Sequence, residues 1–122
     1  MSKRGKKRVD EGQKQITILV KDKKMRVISK RKIQEYYAKH PNSRGALLSW
    51  YEKFTSDNWI DFNHLKTAFP STDYVGNNHY VFNIKGNDYR MVVVIQFTPQ
   101  RALIRFIGTH AEYDKIKDIG FI

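Results

Sequence analysis

The chain has 122 residues, 40% of them hydrophobic, enough for one buried core but not two. It has no cysteine, which excludes disulfides, thiolate metal sites and a cysteine nucleophile. Net charge is +11, from 23 Lys and Arg against 12 Asp and Glu, and such an excess points to a polyanionic partner. The excess is uneven: residues 1–24 carry +6 and the remainder +5. The longest apolar runs, Ile16–Val20 and Val92–Ile95, fall far short of the ~20 residues a bilayer span needs. No apolar stretch of secretory-signal length follows the basic N-terminus, so a cytoplasmic protein without membrane contact is expected.

Residues 1–14 are polar and charged without periodicity and read as a disordered basic arm. Ile16, Ile18 and Val20 alternate, the pattern of an extra strand over 15–20, which KDKK at 21–24 would turn back into Arg26–Ile28. Ser29 suits the N-cap of a helix over 30–40, with Ile33, Tyr36 and Tyr37 on one face and Pro41 as its stop. A second helix over Ser43–Phe54 follows after a short break, which makes the pair a helical hairpin. A shorter helix over 61–68 ends before Pro70. After a polar connection at 71–78 the period changes to two. Tyr80, Phe82 and Ile84 alternate with His79, Val81 and Asn83, and Gly86-Asn87 suits a tight hairpin turn. Asp88–Phe97 is the longest strand and is expected at the sheet centre. Thr98–Gln100 turns the chain into a strand over Ala102–Thr109, and Tyr113, Ile116 and Ile119 place a short helix after it. The expected fold class is α+β: an N-terminal strand and helical hairpin, then an antiparallel β-meander and a short C-terminal helix. The expected division is a basic extension over 1–24 and one folded domain over 25–122.

Arg90 interrupts an apolar strand, sharing a face with Val92 and Val94. A charge there needs an open face or a partner, and guanidinium offers paired donors that match a phosphate. A purely structural Arg90 would bridge to Asp88, Glu112 or Asp114. Lys85 and Arg105 occupy neighbouring segments, and His110 stands where the last strand gives way to a helix. His79 lies at the opposite end of the meander. Histidine moves protons near neutral pH. Glu112 suits a helix start, with orientation of His110 as a second role. The four histidines have no metal-ligand spacing, and no H-E-x-x-H, P-loop or G-x-S-x-G motif occurs, so no metal or cofactor is expected.

Without a metal, RNA cleavage has one route open to these residues. The substrate's 2′-hydroxyl attacks the adjacent phosphate, Arg90 stabilises the added charge, and His110 protonates the departing 5′-oxygen. Lys85 and Arg105 would hold phosphates, Asn83 would hydrogen-bond RNA, Tyr113 would stack or assist the proton, and His79 is a further RNA contact. A non-catalytic basic module that binds RNA or protein on the same fold is the alternative. Strict alternation sets Arg105 and His110 on opposite faces. Either Gly108 breaks the register, or Arg105 serves structure or partner binding.

The segments MRVISKRKIQEYYAKHP (25–41), LKTAFPSTD (65–73), HYVFNIKGNDYR (79–90) and IRFIGTHAEYDKI (104–116) resemble HigB-type toxins of type II toxin–antitoxin systems, within the RelE-like mRNA interferases. The resemblance spans about residues 25–119. It implies a RelE-like fold and endonucleolytic cleavage of messenger RNA on translating ribosomes, which inhibits translation. It also implies neutralisation by a helix-turn-helix antitoxin of the HigA type. Within the family, the arginine of the Y-R pair on the central strand is an active-site residue, which is Arg90 here. The segment after the next strand supplies a catalytic or phosphate-binding side chain, which matches His110. Relatives with a Lys-rich second strand carry basic residues where this chain has Val81 and Asn83. That departure leaves Lys85 and a second role for His110 as candidates for the general base.

Overall fold

The change of period near residue 79 builds one sheet, and the helices upstream cover one of its faces. The computed structural model describes residues 23–122, so the arm and the strand expected at 15–20 lie outside the described residues. The described elements run β1 (Arg26–Val27), α1 (Lys30–Lys39), a 3-10 turn (Pro41–Ser43), α2 (Arg44–Phe54), α3 (Phe62–Ala68), β2 (Asp73–Tyr74), β3 (His79–Ile84), β4 (Tyr89–Gln96), β5 (Arg101–Thr109) and α4 (His110–Asp114), then a 3-10 turn at Ile119–Phe121. The strand order is β1-β5-β4-β3-β2. The expected meander is its antiparallel centre, with β4 in the middle. At one edge β1 pairs parallel with β5; the three helices carry the chain from β1 across to β2 at the opposite edge, and β2, β3 and β4 bring it back to β5. At the other edge β2 pairs antiparallel with β3, inside the stretch expected to be a plain connection.

Alternation sends Tyr80, Phe82 and Ile84 of β3 and Met91, Val93 and Ile95 of β4 to the helical face. Ile33, Leu47, Trp50, Phe54 and Leu65 meet them there. Phe82 is the hub, with ring centroids 5.3 Å from Trp50, 5.7 Å from Phe54 and 5.3 Å from Phe69. Burying each such side chain contributes roughly 1.5–3 kcal/mol, so this cluster holds the helices on the sheet.

The opposite face is covered too, since Val81 and Val92 are buried although their neighbours in sequence point to the helices. The C-terminal segment crosses it from the end of β5 to the β2–β3 loop. Gly120 is buried there, the Asn77 side-chain amide donates to its carbonyl at 2.9 Å, and an added Cβ would meet the Val75 carbonyl oxygen at 2.8 Å. The expected terminal helix is therefore shorter than its apolar spacing suggests. Its later residues, Ile116 and Ile119, lie past the end of α4.

Three local expectations change. Ser29 occupies the N-cap position of α1 but makes no capping bond; its Oγ accepts the Ile104 N–H at 2.6 Å and ties α1 to β5. The hairpin turn is carried by Lys85 and Gly86, both left-handed (φ 54° and 63°), and not by Gly86-Asn87. The register break in β5 is at Arg105 and not at Gly108. Val93 pairs with Ile104 and Val92 with Phe106, so Arg105 is the unpaired residue of a β-bulge.

Candidate active site

One row crosses three strands at the hairpin end of the sheet: Asn83 on β3, Arg90 on β4 and Gly108 on β5 are directly paired and share the face away from the helices. Arg90 is half-buried. One of its guanidinium nitrogens reaches the carbonyls of Asn87 and Tyr89 at 3.3 and 3.4 Å, both long for hydrogen bonds. Among the described residues no carboxylate pairs with it, and Asp88, Glu112 and Asp114 are not its partners. Most of its five donors thus have no partner among the described residues. Gly108 is required beside it. An added Cβ would lie 2.4 Å from the ring of Phe106 and 2.8 Å from Glu112 Oε1, so only glycine lets both close over the strand.

Those contacts set α4 in place. Thr109 and Glu112 form a capping box: Thr109 Oγ1 accepts the Glu112 N–H at 3.1 Å, and Glu112 Oε1 accepts the Thr109 N–H at 2.8 Å. His110 is the first helical residue, two positions beyond Gly108, and its backbone N–H donates to the Asp88 carbonyl at 3.1 Å. Its imidazole is half-exposed, with Nε2 3.6 Å from Asp114 Oδ2 one turn on. Glu112 is committed to the cap, and Asp114 is the carboxylate beside His110. Tyr113 projects from the same turn, 6.5 Å from Phe106. Burial raises its hydroxyl pKa above the ordinary phenol value; Asp73 raises it further, and Arg90 opposes them.

The sequence candidates therefore divide. Arg90, Asn83, His110 and Tyr113 gather at the hairpin end, and Lys85 stands exposed in the loop at that same end. Two do not join them. His79 pairs with Val94 in the other half of the sheet and is 7% exposed; its Nδ1 lies 2.7 Å from the Asn77 carbonyl, and its Nε2 is buried. Arg105 is turned out at the bulge, where its Nε donates to the Ile122 carbonyl at 2.8 Å. Sequence reading missed the short strand β2, whose two residues give no pattern to reveal it. It also missed an aromatic group beside the site, in which Tyr36 stacks on His40 at 4.3 Å and meets Tyr89 edge-on at 6.0 Å. The i, i+4 spacing of Tyr36 and His40 was the available signal.

A guanidinium with open donors, a histidine beside a carboxylate and a half-buried phenol equip this end of a small α+β fold for a phosphate-bearing ligand. Comparison with known proteins is consistent with that class. Residues 43–116 match the family model described as HigB toxin, RelE-like toxic component of a toxin–antitoxin system. The chain is 35% identical over 94 residues to the mRNA interferase HigB of Escherichia coli O6:H1 (strain CFT073), covering 75% of this chain and 91% of that protein. It is 32% identical over 93 residues to the mRNA interferase toxin HigB of Escherichia coli (strain K12), covering 74% and 88%. The chain belongs to the HigB toxin family, whose members are toxic components that have an antitoxin counterpart. No helix among the described residues is long and apolar enough to cross a membrane.

Proposed function

We propose that this protein is an mRNA endonuclease that cleaves by attack of the substrate's own 2′-hydroxyl, without a metal ion. The observation that carries this reading is the juxtaposition at the hairpin end of Arg90, with open donors, and His110, beside Asp114. Arg90 stabilises charge gathering on the phosphate. His110 protonates the departing 5′-oxygen, with Asp114 holding the imidazolium. Asn83, in line with Arg90, positions the RNA backbone. Tyr113 keeps its proton near neutral pH, as an ordinary phenol does and as burial reinforces, so it serves as a donor or a stacking surface and not as the base. Lys85, at the same end, is the candidate to assist deprotonation of the 2′-hydroxyl. The reading extends to ribosome-bound mRNA as substrate, the cytoplasm as location and a helix-turn-helix antitoxin of the HigA type as partner. Residues 25–122 form the toxin domain and 1–24 a basic extension of it. The names of the two relatives, mRNA interferases, support the substrate class.

The test is end chemistry. Cleavage of a reporter mRNA on translating ribosomes is expected to leave 2′,3′-cyclic phosphate or 3′-phosphate ends and 5′-hydroxyl ends. A single 2′-deoxy nucleotide at the cleaved position is expected to abolish the cut. Fragments ending in 3′-hydroxyl and 5′-phosphate would refute the mechanism.

A further inference from the structure

Arg105 leads away from the active site to a second surface. Lys32, Glu35, Tyr36 and Lys39 follow the i, i+3, i+4, i+7 spacing of one helical stripe, and that stripe of α1 forms one wall of a groove of about 370 Å³. The other wall is β5 at its bulge, where Arg105 and Ile107 line the groove. The groove stays open because β1 covers β5 only at Arg101 and Ala102. Ser29 takes the N–H of Ile104, and no strand among the described residues pairs with the outer edge beyond it. Three cations face one carboxylate there. Lys32 and Lys39 are two helical turns apart, about 10 Å along the axis.

The groove runs into the catalytic end. Tyr36 stacks on His40, one turn further along α1, and meets Tyr89. Tyr89 pairs across the sheet with Thr109, the residue before His110. A cationic trough with aromatic rings along it is the arrangement that holds single-stranded nucleic acid without reading its sequence.

We propose that the α1–β5 groove is a binding track for the single-stranded RNA that flanks the cleaved nucleotide, with Lys32, Lys39 and Arg105 on phosphates and Tyr36 and His40 as a stacking platform. The inference rests on the nuclease reading for its substrate but uses none of the catalytic residues. Arg105 is then a substrate-positioning residue that acts at a distance from the reacting phosphate.

The experiment measures fluorescence anisotropy of the full chain with non-cleavable 2′-O-methyl RNA of about three and about twelve nucleotides, across a salt series. In K32Q/K39Q/R105Q the longer RNA is expected to bind about 10-fold or more weakly. Its salt slope should fall by about 2, at roughly 0.7 per lost phosphate contact on a single strand. Binding of the short RNA should be unchanged, whereas Arg90→Ala should weaken both. Because Arg105 also bonds the Ile122 carbonyl, K32Q/K39Q is the second variant, with an expected slope loss of about 1.4. Wild-type affinity of both variants for the longer RNA would overturn the track, as would equal loss on both lengths. Loss of affinity for an acidic peptide with RNA binding intact would overturn it in favour of a protein site. Length-dependent loss in a protein that leaves mRNA uncut would support the track and refute the nuclease reading, so the two fail separately.

Discussion

The two ends of the sheet each present a histidine, and they surround it in opposite ways. At one end His79 is paired within the ladder, buried, and bonded to the Asn77 carbonyl. At the other, His110 stands outside the ladder, half-exposed, with a carboxylate beside it and an open guanidinium two strand positions away. Residue type is the same, so what separates structure from chemistry is solvent access and the neighbours each strand end supplies. An imidazole enclosed by the fold contributes to stability, whereas one with a free path to solvent and a charged partner can exchange protons with a ligand.

The largest expected effects test that division directly. His110→Gln should lower mRNA cleavage by about 10²–10⁴-fold and Arg90→Ala by about 10²–10³-fold, with urea midpoints close to wild type. The reverse pattern, stability lost and cleavage kept, would erase the distinction between the two ends. Gly108→Ala should destabilise by about 1–3 kcal/mol, because the new methyl group displaces Phe106 and the Glu112 cap. Because the same shift moves His110, cleavage should fall with it, measured on protein confirmed as folded by circular dichroism. His79→Ala should cost about 1–3 kcal/mol in urea unfolding and leave cleavage within about threefold of wild type.

The smallest effect appears with alkali. Burial raises the hydroxyl pKa of Tyr36, Tyr80 and Tyr113 above the ordinary phenol value, with help from Glu112, Tyr74 and Asp73 respectively. The folded chain keeps these protons where the unfolded chain has lost them, so unfolding releases protons above the ordinary value. Their stabilising contribution is whole below about pH 10 and declines as pH rises through the folded values. The urea midpoint should fall on that rise, and Tyr113→Phe and Tyr80→Phe should each flatten the fall. A slope unchanged in both variants would show that neither end holds a perturbed phenol.

Strong periodicity made most of the fold legible. Ile33 with Tyr36 and Tyr37, Leu47 with Trp50 and Phe54, and Phe82 with Ile84 each lie on the face their spacing assigns. Elements with too few residues to show a period were not legible, β2 above all. The parallel pairing of β1 escaped as well, since two residues carry no sign of strand direction. At the site, Arg90 and His110 stood out because each breaks an apolar pattern. Their surroundings did not: the sequence suggested Glu112 as the group that orients His110, whereas Glu112 closes the capping box and Asp114 is the carboxylate beside the imidazole. The burial of His79 was not legible, because alternation reports a face but not what covers it. Val81 and Val92 are buried on this face, and the C-terminal segment reaches it at Asn77.

The bulge at Arg105 is an absorbed insertion. The ladder keeps one frame from Gln96 opposite Arg101 to Val93 opposite Ile104, and resumes one step displaced from Val92 opposite Phe106 to Tyr89 opposite Thr109. Removing that single residue would join the two frames into one regular ladder without turning any other side chain to the wrong face. A deletion, commonly the harshest lesion in a strand, is here milder than inserting a residue anywhere else in β5. The hairpin end and the core end of the strand can therefore vary in length at this joint while each keeps its own partners.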